Sequence, residues 1–165
     1  MKIYRCIWMI GLAVLPLMTQ ADPTINVSGN VIASPCTVDT GTVTKLVELG
    51  TVNKQDLPNA GDGGVWSDFD LLVSNCPTGT SKVTAIFTGT PDIEDSTAWK
   101  NSGTSSNVAL RLSSRDHNTV YSNSSTMLVN VDSTTHKTTF PLSARIFTPK
   151  GNVVAGTFAS VMKTL

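Results

Sequence analysis

The stretch Asp22-Pro-Thr-Ile-Asn-Val-Ser-Gly-Asn-Val-Ile-Ala-Ser-Pro-Cys-Thr-Val38 decides how the rest of the chain is read. Ile25, Val27 and Val31 share one parity with Gly29 between them, while Thr24, Asn26, Ser28 and Asn30 take the other. A period of two is the signature of a strand with one buried face. Such a strand needs a partner for its apolar row and for its backbone groups.

What precedes this stretch fixes the compartment. Met1-Lys-Ile-Tyr-Arg5 is followed by an apolar run over 6–18 and by Thr19-Gln-Ala21, the pattern of a secretory signal with a small-residue cleavage site. The run is shorter than the roughly 20 residues that span a bilayer, so no membrane insertion is expected. Cleavage after Ala21 gives a signal peptide at 1–21 and a single exported domain at 22–165. Lys2 and Arg5 leave with the signal, so 10 basic residues face 12 acidic ones and no basic surface for nucleic acid is implied. Cys6 leaves too. Cys36 and Cys76 remain, and two cysteines in an exported chain predict one disulfide.

Downstream, short alternating stretches recur between turn signals, and no helix of useful length is expected. This is the texture of an all-β sandwich or barrel. Strands are predicted over 43–49, 65–74, 83–88, 107–113, 127–131, 137–148 and 153–162. Phe69, Leu71 and Val73 face inward in the second, and Phe158 and Met162 share a parity in the last. Pro141 predicts an edge or a kink, because proline cannot donate to a ladder. Residues 90–106 read as a long polar loop, and Trp66 and Trp99 as local packing residues rather than a core hallmark.

Catalytic parts are scarce. His117 and His136 lie in separate polar turns, and no Gly-x-Ser-x-Gly elbow activates a serine. Asp92, Glu94 and Asp95 lack the spacing of a calcium loop and read as a solvated turn. No enzyme activity, metal or cofactor is expected.

Taken in order, Gly29-Asn-Val31 leading into Cys36-Thr-Val38, Phe69-x-Leu71-x-Val73-x-x-Cys76 and Gly156-Thr-Phe158 resemble the pilin subunits of chaperone–usher fimbriae. The stretch Cys76-Pro-Thr-Gly-Thr-Ser-Lys-Val-Thr-Ala-Ile-Phe-Thr-Gly89 is most similar to the small adaptor subunits near the tip of type 1 fimbriae. The resemblance implies an incomplete immunoglobulin-like β-sandwich completed by a strand from another subunit, first lent by a periplasmic chaperone and then by a neighbouring subunit at the outer-membrane usher. It makes 22–33 an N-terminal donor extension, with Ile25, Val27, Gly29 and Val31 as the inserting row. It assigns Phe69, Leu71, Val73, Phe158 and Met162 to the acceptor groove. Subunits of the family usually carry an aromatic residue next to last, where this sequence has Thr164, a departure that implies a divergent, terminating or truncated subunit. The implied role is a structural minor subunit supporting adhesion, exported through the periplasm to the cell-surface fimbrium. The alternatives are a single-domain adhesin and a self-completed exported domain.

Overall fold

The computed structural model describes residues 28–29 and 35–164. The expected signal peptide, and Ile25, Val27 and Val31 of the expected donor row, lie outside the described residues. Gly29 is exposed with open space around it.

Nine strands follow one another in the described part: β1 (Thr37–Val38), β2 (Ser67–Ser74), β3 (Lys82–Gly89), β4 (Trp99–Lys100), β5 (Ala109–Ser114), β6 (Val120–Tyr121), β7 (Thr126–Asn130), β8 (Thr138–Phe147) and β9 (Met162–Thr164). One sheet runs β1-β2-β8-β5-β4, with β6 also on β5; the other runs β7-β3-β9. All pairings are antiparallel.

Alternation explains which faces meet. Leu71 and Val73 of β2, Leu110 and Leu112 of β5 and Phe140, Leu142 and Ala144 of β8 project from the larger sheet into one core. Ala85 and Phe87 of β3 meet them from the smaller sheet. The two inner faces thus close a sandwich, as two half-apolar sheets must. The disulfide Cys36–Cys76 joins the residue before β1 to the end of β2, beside the Thr37↔Ser74 pair.

Three expectations are corrected and a fourth is refined. The predicted strand over 43–49 does not form. Instead Asp39 accepts a hydrogen bond from the Gly41 N–H at 2.9 Å and caps a single helical turn, α1 (Thr40–Val43). The predicted strand over 153–162 is reduced to β9 and one bridge at Val154, because most of it lacks a regular ladder. Residues 90–106 are not a plain loop: Trp99 is fully buried in the core and its Nε1 donates to the Tyr121 carbonyl at 3.1 Å. Finally, Pro141 lies in β8, an interior strand, yet its neighbour there is β2 alone, since pairing with β5 begins at Leu142. The missing donor falls where the interior strand is locally an edge.

The outer face of the larger sheet is covered by side chains and loops. Arg111 lies 3.8 Å over the Phe147 ring and pairs with Asp95 at 2.8 Å. Arg145 lies 4.5 Å over Trp66, which also stacks on His117. Burial acts to raise the Asp95 carboxyl, but bonds from Thr97 and the Arg111 charge outweigh it and hold it below the usual carboxylate range.

Two outcomes follow. Replacing both Cys36 and Cys76 by serine releases the constraint on the unfolded chain and should lower stability by about 4 kcal/mol in urea unfolding. Because Asp95 is depressed in the folded state, its contribution is complete above the ordinary carboxylate pKa and is lost as pH falls through the range below about 4. Asp95→Asn should therefore destabilise the protein at neutral pH and leave a shallower acid-side decline in thermal midpoint.

Candidate functional site

A second, smaller apolar cluster lies at one end of the sandwich. Leu57, Val108 and Ile146 are its buried members, and Leu49, Val52, Val153 and Phe158 pack against them half-buried. Leu49 and Phe158 also touch the main core, so the two clusters are continuous.

The segments that border this cluster are unusual in their backbone bonding. From Lys45 to Val52 the backbone makes one hydrogen bond among the described residues, from Ser67 Oγ to the Glu48 carbonyl at 3.2 Å. Among the described residues, 153–161 are held along one edge only. Val154 exchanges bonds with Ser106, the Thr157 carbonyl accepts from Ser105 N–H, and the Ala159 carbonyl accepts from Ser102 N–H. Side chains complete the edge: Asn101 Oδ1 accepts from the Ala159 and Gly103 amides, and Thr104 Oγ1 accepts from the Thr157 amide while Thr157 Oγ1 accepts from that of Thr104. The backbone groups of Phe158 and Ser160 meet no partner among the described residues.

Glycine makes this clamp possible. A Cβ at Gly103 would stand 2.2 Å from the Thr157 carbonyl oxygen, and one at Gly156 would stand 2.5 Å from Ser105 N. No other residue lets the two backbones approach so closely.

All five residues expected to line the acceptor come together in the main core. Leu71 and Val73 are buried within it, and Phe69, Phe158 and Met162 pack against it half-buried. Only Phe158 also reaches the smaller cluster. Strand β2 is flanked by β1 and β8, so Leu71 and Val73 offer side chains but no free backbone edge. Leu49, Val52, Leu57, Val108, Ile146 and Val153 are not assigned to the acceptor by the sequence, although Val108 and Ile146 fall in the predicted strands 107–113 and 137–148. Leu49 lay in a predicted strand and Val153 in another, yet nothing in alternation says that two segments border one cluster.

No catalytic constellation assembles from the histidines and acids singled out earlier. His117 stacks on Trp66, and His136 sits in a turn closed by its N–H to the Asp132 carbonyl. Asp92 Oδ1 accepts from the Glu94 and Asp95 amides, Asp95 pairs with Arg111, and Glu94 pairs with Lys150 at 2.7 Å.

Comparison with known proteins gives one answer. The fimbrial protein family matches residues 25–160. Protein FimG of Escherichia coli (strain K12) is 40% identical over 142 residues, covering 86% of this chain and 82% of that protein. The S-fimbrial adhesin protein SfaS of Escherichia coli O6:K15:H31 (strain 536 / UPEC) is 37% identical over 142 residues, with the same coverage. Among solved structures, a chaperone–usher pilus subunit superposes with a TM-score of 0.66 at 18% identity, covering 92% of this chain and 98% of that one. The P pilus rod subunit PapA superposes with a TM-score of 0.65 at 18% identity, covering 80% and 97%. The fold is therefore that of chaperone–usher pilins, and the chain belongs to the fimbrial protein family as a subunit similar to the minor subunits of type 1 fimbriae.

Proposed function

We propose that this chain is a structural minor or adaptor subunit that polymerises by donor-strand exchange and so supports adhesion at the cell surface. The observation that carries the reading is the pair of backbone edges left open among the described residues, 45–52 and 153–161, bordering the apolar cluster of Leu57, Val108 and Ile146. An inserted strand would supply hydrogen bonds to the groups left open at Phe158 and Ser160. Its alternate side chains would lie on Leu49, Val52, Val153 and Phe158. The donated strand of this chain is 22–33, with Ile25, Val27, Gly29 and Val31 as the inserting row. The partners implied are neighbouring fimbrial subunits, a periplasmic chaperone and an outer-membrane usher, along a route through the periplasm. The subunit works by strand pairing, with no catalysis and no cofactor.

One relative is named an adhesin, which favours a second reading in which the exposed face of the same domain also binds a receptor. Both readings share the groove.

Expression in periplasm with and without a fimbrial chaperone tests the groove. A one-to-one complex that is lost without the chaperone is expected; a soluble, folded monomer without any partner would show that the sandwich completes itself.

Two variants separate the two ends of the exchange. Phe158→Asp places a charge in the apolar row and should abolish chaperone capture in a pull-down while the periplasmic disulfide still forms. Ile25→Ser with Val27→Ser removes two buried side chains from the donor and should weaken pairing with the next subunit by about 100-fold or more, with chaperone capture unchanged. Normal pairing by the double variant would remove the donor assignment.

A further inference from the structure

Ser160 stands out within the row that faces inward near the end of the chain. Phe158, Ser160 and Met162 alternate on one parity and are half-buried, with exposed Ala159 and Val161 between them. Phe158 and Met162 pack on the main core. The Ser160 hydroxyl is buried and has no hydrogen-bond partner among the described residues. A hydroxyl left in this state is costly, because it has lost water and gained nothing in return. Its backbone lies on the open edge, beside the place where an inserted strand would run.

The chain's own donor row does not answer this need. Ile25, Val27, Gly29 and Val31 offer no side-chain donor or acceptor, and Asn26, Ser28 and Asn30 occupy the opposite parity. A strand from a second copy would therefore leave the hydroxyl buried and unpaired.

We propose that Ser160 is a specificity determinant of the acceptor groove, selecting an incoming strand that carries a hydroxyl or amide side chain on its inward face beside it. The proposal rests on the groove reading above and adds to it the chemistry of the partner. Discrimination arises from the penalty against an all-apolar strand as much as from the bond to the right one, which is how buried polar groups generate selectivity. It makes pairing with another subunit preferable to pairing with a further copy of this chain.

The test uses the full chain purified as its chaperone complex and measures the peptide concentration that half-displaces the chaperone. The probes are a peptide of residues 24–33 and four analogues carrying Ile25→Thr, Val27→Thr, Gly29→Ser or Val31→Thr. On the wild-type subunit one analogue should act at a concentration about tenfold lower than the parent peptide, and the others should not. On Ser160→Ala the parent should improve about tenfold and the advantage of that analogue should vanish, whereas Ser160→Thr, which keeps the hydroxyl, should retain it. If no analogue is preferred on wild type, or if the preference survives in Ser160→Ala, the hydroxyl does not select the partner. If no peptide displaces the chaperone from any variant, while Phe158→Asp captures chaperone normally, the groove reading itself fails and the proposal falls with it.

Discussion

A strand has two hydrogen-bonding edges, and residues 153–161 spend only one of them within the described chain. This single constraint organises the end of the sandwich. A backbone edge with open N–H and C=O groups is a template for another strand. Here it borders an apolar cluster, so a strand that satisfied the edge would also cover Leu49, Val52, Val153 and Phe158. The two driving forces act together. Hydrogen bonds would fix the direction and depth of an inserted strand, and apolar burial would supply most of the favourable free energy.

An edge that waits for a partner must still be held in place. Regular pairing would do so, but it would draw the segment into the sheet along its whole length. The structure uses side chains instead. Asn101 and the Thr104–Thr157 pair bond to the backbone of 157–159, and the glycines at 103 and 156 let the chains close to contact. The clamp tolerates an irregular spacing that a ladder would not. Its bonds fall at Val154, Thr157 and Ala159, with one step out of rhythm. A bulge of this kind reverses parity, so Val153 below it and Phe158 above it both face the cluster.

That irregularity explains what alternation could and could not reveal. Strands with partners on at least one side over their full length, such as β2, β3 and β8, were legible because a period of two marks their core-facing rows, although Leu72 interrupts it in β2 and Ser143 and Phe147 are buried out of phase in β8. Their inward residues Leu71, Ala85, Phe87, Leu142 and Ala144 are buried in the core. The order of Gly29-Asn-Val31, the cysteines and Gly156-Thr-Phe158 carried the family. The stretches 43–49 and 153–162 alternate in sequence but have little or no ladder, and strand structure is a property of the pair rather than of the segment. Trp99 was misread for a related reason. It occupies a two-residue strand inside a polar stretch, where composition signals a loop, yet its indole is carried into the core and its N–H satisfied by Tyr121.

The disulfide sits where the two ends of the proposed exchange converge on one mechanical path. Under the proposed exchange, tension along a fimbria would enter a subunit through its N-terminal extension and leave through the strand held in its groove. The extension is covalently continuous with Cys36, which is bonded to Cys76 just beyond β2. Strand β1 is short and exposed, with only Thr37 and Val38 in register with β2, so hydrogen bonds alone would peel from that end one pair at a time. The covalent link bypasses them and delivers the load to the end of β2. From there it spreads across seven residue pairs with β8, an interior strand, and through β8 to β5. Load shared across a long ladder acts on many bonds at once, whereas load on α1 would meet a single turn. Under that proposal, the position of Cys36 ahead of the sheet would serve a strand-linked polymer as much as the edge left open at 153–161 among the described residues.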